Sequence, residues 1–342
     1  MADINDILGN ERIKEHFITA VRHKKISHAY IMEGDKGSGK KMLAAAFSKI
    51  LQCEGRENAD IAEACGKCEA CIQMEHKDHP DVIWVTHEKP NVISVGEIRE
   101  QVVNTVDIMP YKGSYKIYII DEAEKMNVAA QNAILKTIEE PPEYAIIFLL
   151  TTNRGAFLDT ILSRCILLET KPVSGKMIEQ YLGEKCSVPE EEAEFAAGFS
   201  LGNIGKAEAI VLSEEFRDLK DLTLSVLRYI HEIESYEIAD KVKEYKKYKN
   251  RIDDFFDIFL MWFRDILLLK ADNSPNADTA RKKIIFKNEY AYLKKQAEKL
   301  DLDAIDYIIN RINRARIRIK SNVNFDATLE LLIVEARREF TD

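Results

Sequence analysis

The chain has 342 residues, 46% of them apolar and 31% charged, with a formal net charge of −9. That is the make-up of a folded protein of two or three domains and excludes a disordered one. The negative balance gives no general electrostatic basis for nucleic-acid binding, so the basic stretches 281–299 and 311–320 would have to act locally or together with partners. The polar, acidic start from Met1 to Asn10 carries no leader pattern. The most apolar run, Phe255 to Leu269, is interrupted by Asp257, Arg264 and Asp265 and is too short for a bilayer, so the expectation is a cytoplasmic protein with no membrane contact.

Residues Ile4 to Ile26 read as one or two helices, with Ile13, Phe17 and Val21 at successive i+4 steps. The apolar run Ala29, Tyr30, Ile31, Met32 then leads into Gly34-Asp35-Lys36-Gly37-Ser38-Gly39-Lys40-Lys41, and Leu43, Phe47, Ile50 and Leu51 follow at helical spacing. This is strand, phosphate loop, helix. In the pattern GxxxxGK the glycines let backbone N–H groups close round a polyphosphate, and the lysine neutralises its outer phosphates at a helix N-terminus. One position departs from the pattern. Where a magnesium-binding loop carries Ser or Thr, this chain has Lys41, whose ammonium has no lone pair to offer a metal.

Four of the six cysteines, Cys53, Cys65, Cys68 and Cys71, crowd into the segment after that helix. Two overlapping CxxC pairs put three sulfurs on one turn and Cys53 supplies a fourth, which points to a closed structural zinc site; the bland alternative is four reduced, unconnected thiols. His76 and His79 lie nearby and read as surface or turn residues rather than ligands.

Val82 to Val85 reads as a strand, and Ser94 starts a helix whose Glu97 can close a capping box. The run Lys116 to Ile120 is a strand ending in Asp121 and Glu122. At such a strand end the first carboxylate of a P-loop ATPase holds magnesium and the second orients the attacking water, whereas the plain reading is a solvated strand end. Asn127 can cap a helix that Pro141-Pro142 stops, and Tyr144 to Leu150 is a further buried strand. Asn153 beyond it is placed either to sense a bound phosphate or to serve as a turn residue. Arg164 lies at an exposed junction before the strand Ile166 to Leu168. Strand and helix alternate from Ala29 to Leu168, which predicts a parallel, doubly wound α/β domain.

From Lys171 the pattern becomes helical. Ser174 and Ser187 are candidate N-caps of two short helices, and Gly202-Asn203-Ile204-Gly205-Lys206 breaks the chain before a third. From about Ser213 no strand is expected, only amphipathic helices with a weak break at Asp272 to Asp278. The apolar excess of Phe255 to Leu269 calls for a helical core or a subunit contact.

These residues together resemble the bacterial DNA polymerase III clamp-loader subunits of the AAA+ class, those of the delta-prime type most closely, over essentially the whole chain. The resemblance is carried by Ser27-His28-Ala29-Tyr30, the four-cysteine module, Asp121-Glu122-Ala123 with Met126, Leu135 to Pro142, and Ser163-Arg164-Cys165. It implies an AAA+ core (1–171) with the zinc module, a three-helix lid (172–211) and a helical collar (212–342) through which five subunits join as a ring. It also implies that Arg164 acts across a subunit boundary as an arginine finger and that Lys206 stands at the position of a phosphate-contacting basic residue of the lid.

The function implied is that of a delta-prime-like subunit with little or no ATP hydrolysis of its own. It would help gamma/tau and delta subunits load the sliding clamp on primed DNA. The alternative is an active gamma/tau-type ATPase using ATP with Mg2+ on Lys40, Asp121 and Glu122, which the intact carboxylate pair favours. A third reading, a zinc-containing nucleic-acid adaptor outside any ring, is opposed by the net acidity and the lack of aromatic residues among basic ones.

Overall fold

The computed structural model describes residues 3–55, 63–271, 281 and 283–340. The chain divides into two compact units, one of 1–178 with 201–206 and one of 179–200 with 207–342. The weak break expected at 272–278 falls outside the described residues. Among the described residues no helix is long and apolar enough to cross a membrane.

The first unit is built on five parallel strands, β1 (Ala29–Glu33), β2 (Val82–Val85), β3 (Lys116–Ile120), β4 (Ala145–Thr151) and β5 (Ile166–Glu169), in the order β2-β3-β4-β1-β5. Alternate residues of a strand point to opposite faces, and both faces here are covered. Tyr30, Met32, Ile117, Ile119, Phe148 and Leu150 pack with α1 (Glu11–Arg22) and α2 (Lys40–Gln52) on one side. Phe17 of α1 stacks on Phe47 of α2 at 4.0 Å between centroids, and Tyr30 stacks on Phe148 at 5.2 Å. Ile31, Tyr118, Ile120, Ile147 and Leu149 pack on the other side with α4 (Val95–Ile98, continuing as a π-helical turn Arg99–Val103) and α5 (Val128–Glu139). Between them in sequence lies α3 (Glu69–His76), and α6 (Asp159–Leu162) precedes β5. Burial on both faces is why these strands read as continuous apolar runs.

Local signals act where the sequence placed them. Asn127 Oδ1 accepts the Ala130 N–H at 2.8 Å, and Ser94 and Glu97 form the capping box. The Ser27-His28-Ala29-Tyr30 run is a strand anchor: the Ser27 N–H donates to Tyr30 Oη (2.9 Å), and His28 Nδ1 lies 3.0 Å from the Ala145 carbonyl of β4.

The second unit is helical: beyond β5 no strand occurs among the described residues. Helix α7 (Gly175–Cys186) runs from the first unit into the second, followed by α8 (Glu190–Ser200), α9 (Ile204–Leu212), α10 (Glu214–Arg228), α11 (Ser235–Tyr245), α12 (Ile252–Ala271), α13 (Tyr290–Lys299), α14 (Leu302–Lys320) and α15 (Phe325–Arg338). Ser187 is not the N-cap of α8. It takes a left-handed φ of 54° just after α7, and the Pro189 carbonyl accepts the first bond of α8 from Ala193 N–H. The apolar excess of Phe255 to Leu269 is taken up inside this unit: α12 packs against α10, α13 and α14, and Phe255, Phe256, Phe259, Trp262 and Phe263 are fully buried. Trp262 Nε1 donates to Gln296 Oε1 at 2.8 Å, so even its polar atom is satisfied internally.

One buried carboxylate ties the loop before β3 to the sheet. Asp81 accepts the N–H groups of Tyr111, Lys112 and Gly113 at 2.6 to 2.8 Å. Burial alone would raise its pKa, but the three donors overcome that and hold the carboxyl below the usual carboxylate range. Because the folded pKa is the depressed one, this stabilisation is complete above about pH 4 and is lost as acid protonates the carboxyl. Replacing Asp81 by Ala strands three donors and is expected to cost about 2 kcal/mol or more, read as a lower denaturation midpoint at neutral pH. The difference from wild type should narrow towards pH 3; a difference independent of pH would show that the carboxylate charge is not the stabilising element.

Candidate functional site

The phosphate loop lies between β1 and α2, at the carboxyl ends of the parallel strands, where open α/β sheets hold ligands. Its backbone needs its glycines: Gly37 and Gly39 have φ of 89° and 91°. Gly34 has no room for a side chain, since a Cβ there would sit 1.8 Å from Thr170 Oγ1 and 2.8 Å from Ser38 Oγ. Those two hydroxyls are themselves 3.0 Å apart, joining the loop to the residue after β5. The loop is also held by the start of α9 and the residue before it. The Gly205 N–H donates to the Gly37 carbonyl (3.1 Å) and Asn203 Nδ2 to the Lys36 carbonyl (2.8 Å), while Asn203 Oδ1 accepts the Lys206 N–H at 2.9 Å. A Cβ at Gly205 would stand 2.8 Å from Gly37 Cα, so the contact requires glycine on both sides. The sequence marked 202–206 only as a break, since the approach of two backbones distant in the chain leaves no periodic signal.

The two lysines of the loop do different things. Lys40 is 8% exposed and its ammonium turns back onto the carbonyls of Gly34 and Asp35, at 2.5 and 2.8 Å. Burial depresses its pKa, and the nearby Asp121 and Glu124 carboxylates oppose that shift. Lys41 forms an ion pair with Asp121, Nζ to Oδ2 2.5 Å, with side chains 61% and 27% exposed.

The carboxylate that would serve magnesium is therefore already matched by an ammonium from this chain. A pair this exposed is worth at most about 1 kcal/mol. A divalent ion on the same oxygen would have to displace that ammonium. Nor is there a hydroxyl at position 41 to replace the missing ligand. The residues present do not fit magnesium.

Glu122, next in line, has a left-handed backbone (φ 49°) and its carboxylate bonds Lys125 Nζ at 2.5 Å, with His87 Nε2 3.8 Å away. The Lys125 hydrogen bond holds its pKa below the usual range. Asn153 Oδ1 accepts the Gly155 N–H at 2.9 Å and caps the turn after β4. Arg164 is 40% exposed at the start of β5. Its guanidinium bonds the Thr160 carbonyl (2.9 Å) and pairs with Glu139 at the end of α5 (3.0 Å). The adjacent Cys165 is a packing residue, its thiol pushed up to about 12 by burial.

The cysteine cluster forms a second site. The Sγ atoms of Cys53, Cys65, Cys68 and Cys71 all lie within 4.8 Å of one another, with Cys53 and Cys71 buried. Cys53 caps the C-terminus of α2, Gly66 with φ 68° turns the chain between Cys65 and Cys68, and Cys68 caps α3, which carries Cys71. Backbone N–H groups of Lys67 and Cys68 pull the Cys65 thiol down to about 6, while burial pushes Cys53 and Cys71 up. A bound cation would supply the charge that buried thiolates need, and the four sulfurs fit one metal ion. His79 takes no part among the described residues: it is buried, and its Nδ1 accepts the Asp81 N–H at 3.2 Å.

A family model described as DNA polymerase III, delta subunit matches residues 9–174. The DNA polymerase III subunit delta′ of Bacillus subtilis (strain 168) is 27% identical over 94% of this chain and 94% of its own length. By these matches the chain is similar to DNA polymerase III clamp-loader subunits. Another relative, the subunit tau of the same organism, is 28% identical over 92% of this chain, which spans 58% of that relative's length. Among solved structures, a gamma subunit-related protein from Thermotoga maritima aligns over 96% of this chain and 99% of its own, at 17% identity and a TM-score of 0.43.

If the cysteine cluster holds a metal ion, a strong chelator should lower the thermal midpoint of the native chain. Cys71→Ser should start from a lower midpoint and show no further response to chelator. A wild-type midpoint indifferent to chelator would mean that the four sulfurs hold no ion.

Proposed function

We propose that the chain is a delta-prime-type subunit of a cytoplasmic DNA polymerase III clamp loader, which helps load the sliding clamp on primed DNA while turning over little or no ATP itself. The carrying observation is the ion pair between Lys41 and Asp121, which puts an ammonium where a motor subunit needs a metal. Glu122, the other carboxylate of an ATPase pair, is taken by Lys125.

In this reading Arg164 is the working residue. It stands partly exposed at the edge of the sheet, held by Glu139 and the Thr160 carbonyl rather than buried in the core. Its planar, permanently charged fork suits the charge that develops on a phosphoryl group in a neighbouring subunit's site. The division of labour is an AAA+ core at 1–171, a lid at 172–211 that carries Lys206, and a collar at 212–342, in a five-membered ring with gamma/tau and delta subunits. The metal of the cysteine cluster is zinc. Four thiolates on a tetrahedral zinc ion are about 3.8 Å apart given a bond of about 2.3 Å, and the four Sγ atoms already lie within 4.8 Å.

In the reconstituted ring, Arg164→Ala should lower DNA-stimulated ATP turnover, by a factor of a hundred or more at the neighbouring site it serves, the scale of arginine fingers being about 10³ to 10⁵, without changing the size of the complex in gel filtration. Turnover equal to wild type would remove the assignment. Metal analysis of the native chain should find about one zinc ion per molecule; another metal in that amount would overturn the zinc reading while leaving the site.

A further inference from the structure

The misfit between the loop and magnesium has a consequence for what the loop can bind. We propose that it holds a polyphosphate, as in a nucleoside di- or triphosphate, without a divalent cation, the Lys41 ammonium neutralising charge where a metal otherwise would. The inference rests on reading 34–41 as the phosphate loop of a subunit that does not turn over ATP.

Three observations carry it. First, the cradle is preformed. Gly37 and Gly39 give the loop its left-handed turns, and the bonds from Gly205 and Asn203 fix it through the carbonyls of Gly37 and Lys36; within the loop the Ser38 N–H donates to the Asp35 carbonyl at 3.1 Å. The first amides of a helix have no intrahelical acceptor, and in α2 the first intrahelical bond from this loop is Leu43 N–H to the Gly39 carbonyl. Second, two of the nearby carboxylates already have cationic partners on this chain. Asp121 is matched by Lys41, Glu122 by Lys125, and Glu124 Oε1 accepts the Thr152 hydroxyl at 2.6 Å. Third, the counter-charge is on the chain. Lys40 and Lys41 are neighbours at the N-terminus of a 13-residue helix, whose dipole favours an anion. A magnesium ion added to this set would have to displace Lys41 from Asp121 and would gain no hydroxyl in exchange.

The test is calorimetric titration of the isolated chain with ADP, ATP and pyrophosphate, in magnesium buffer and in magnesium-free buffer prepared without chelator, so that the cysteine cluster is not challenged. Wild type should bind ADP and pyrophosphate with affinities that agree within threefold in the two buffers. Lys41→Thr restores the hydroxyl and releases Asp121; its binding should become magnesium-dependent, at least tenfold weaker without the ion. Lys41→Ala, which removes the ammonium and adds no ligand, should bind at least tenfold more weakly than wild type in magnesium-free buffer. A wild-type affinity that falls tenfold or more without magnesium would overturn the inference, because the metal would then be a ligand after all. So would the absence of binding in both buffers by a chain whose circular dichroism shows it folded. Neither failure touches the role of Arg164, which is read from turnover by the assembled ring.

Discussion

The seating of β1 between β4 and β5 is the constraint on which the site depends. It brings the loop after β1 alongside the ends of β3 and β4, and so puts Lys41 within reach of Asp121 although eighty residues of chain separate them. That seating rests on packing on both faces of the sheet. Phe17, Phe47, Tyr30 and Phe148 interlock beneath α1 and α2, while Tyr118, Ile120 and Ile134 close the opposite face. A parallel sheet has no solvated face to spare, so losing either layer would free the strand ends that carry the chemistry.

On that frame the site keeps the outline of a phosphate-binding machine while its charges are rearranged. Lys41 answers Asp121, Lys125 answers Glu122, and Lys40 lies against its own loop. Each pair is modest in energy because each is partly exposed. Their importance lies in which groups they occupy: both carboxylates that a hydrolysing relative needs are spoken for by the same chain. Arg164, by contrast, sits at the rim on a carbonyl and one exposed carboxylate, which an approaching phosphate could outcompete without disturbing the core.

The cysteine cluster lies in a different part of the first unit. Its four sulfurs lie within 4.8 Å of one another where the end of α2 meets the start of α3, at the opposite end of α2 from the phosphate loop. In the second unit stability comes from ordinary hydrophobic burial, with α12 surrounded by its neighbours. A carboxylate fully buried there, Asp265, takes the N–H groups of Ile285 and Phe286 and the Arg264 guanidinium.

The sequence by itself determined the elements, because their signals are local: glycines and a lysine at fixed spacing, CxxC pairs, helix caps at Ser94 and Asn127, and apolar runs long enough to be buried strands. It also exposed the missing hydroxyl at position 41. Only the tertiary structure decided what stood in its place. The partner of Lys41, the closure of 203–205 on the loop, the burial of His79 and the internal use of the apolar α12 all depend on which distant segments meet, and nothing in local spacing encodes that. Ser187 shows the same limit on a small scale. It is a residue type that favours an N-cap, yet its backbone turns left-handed after α7, and the Pro189 carbonyl starts the next helix instead.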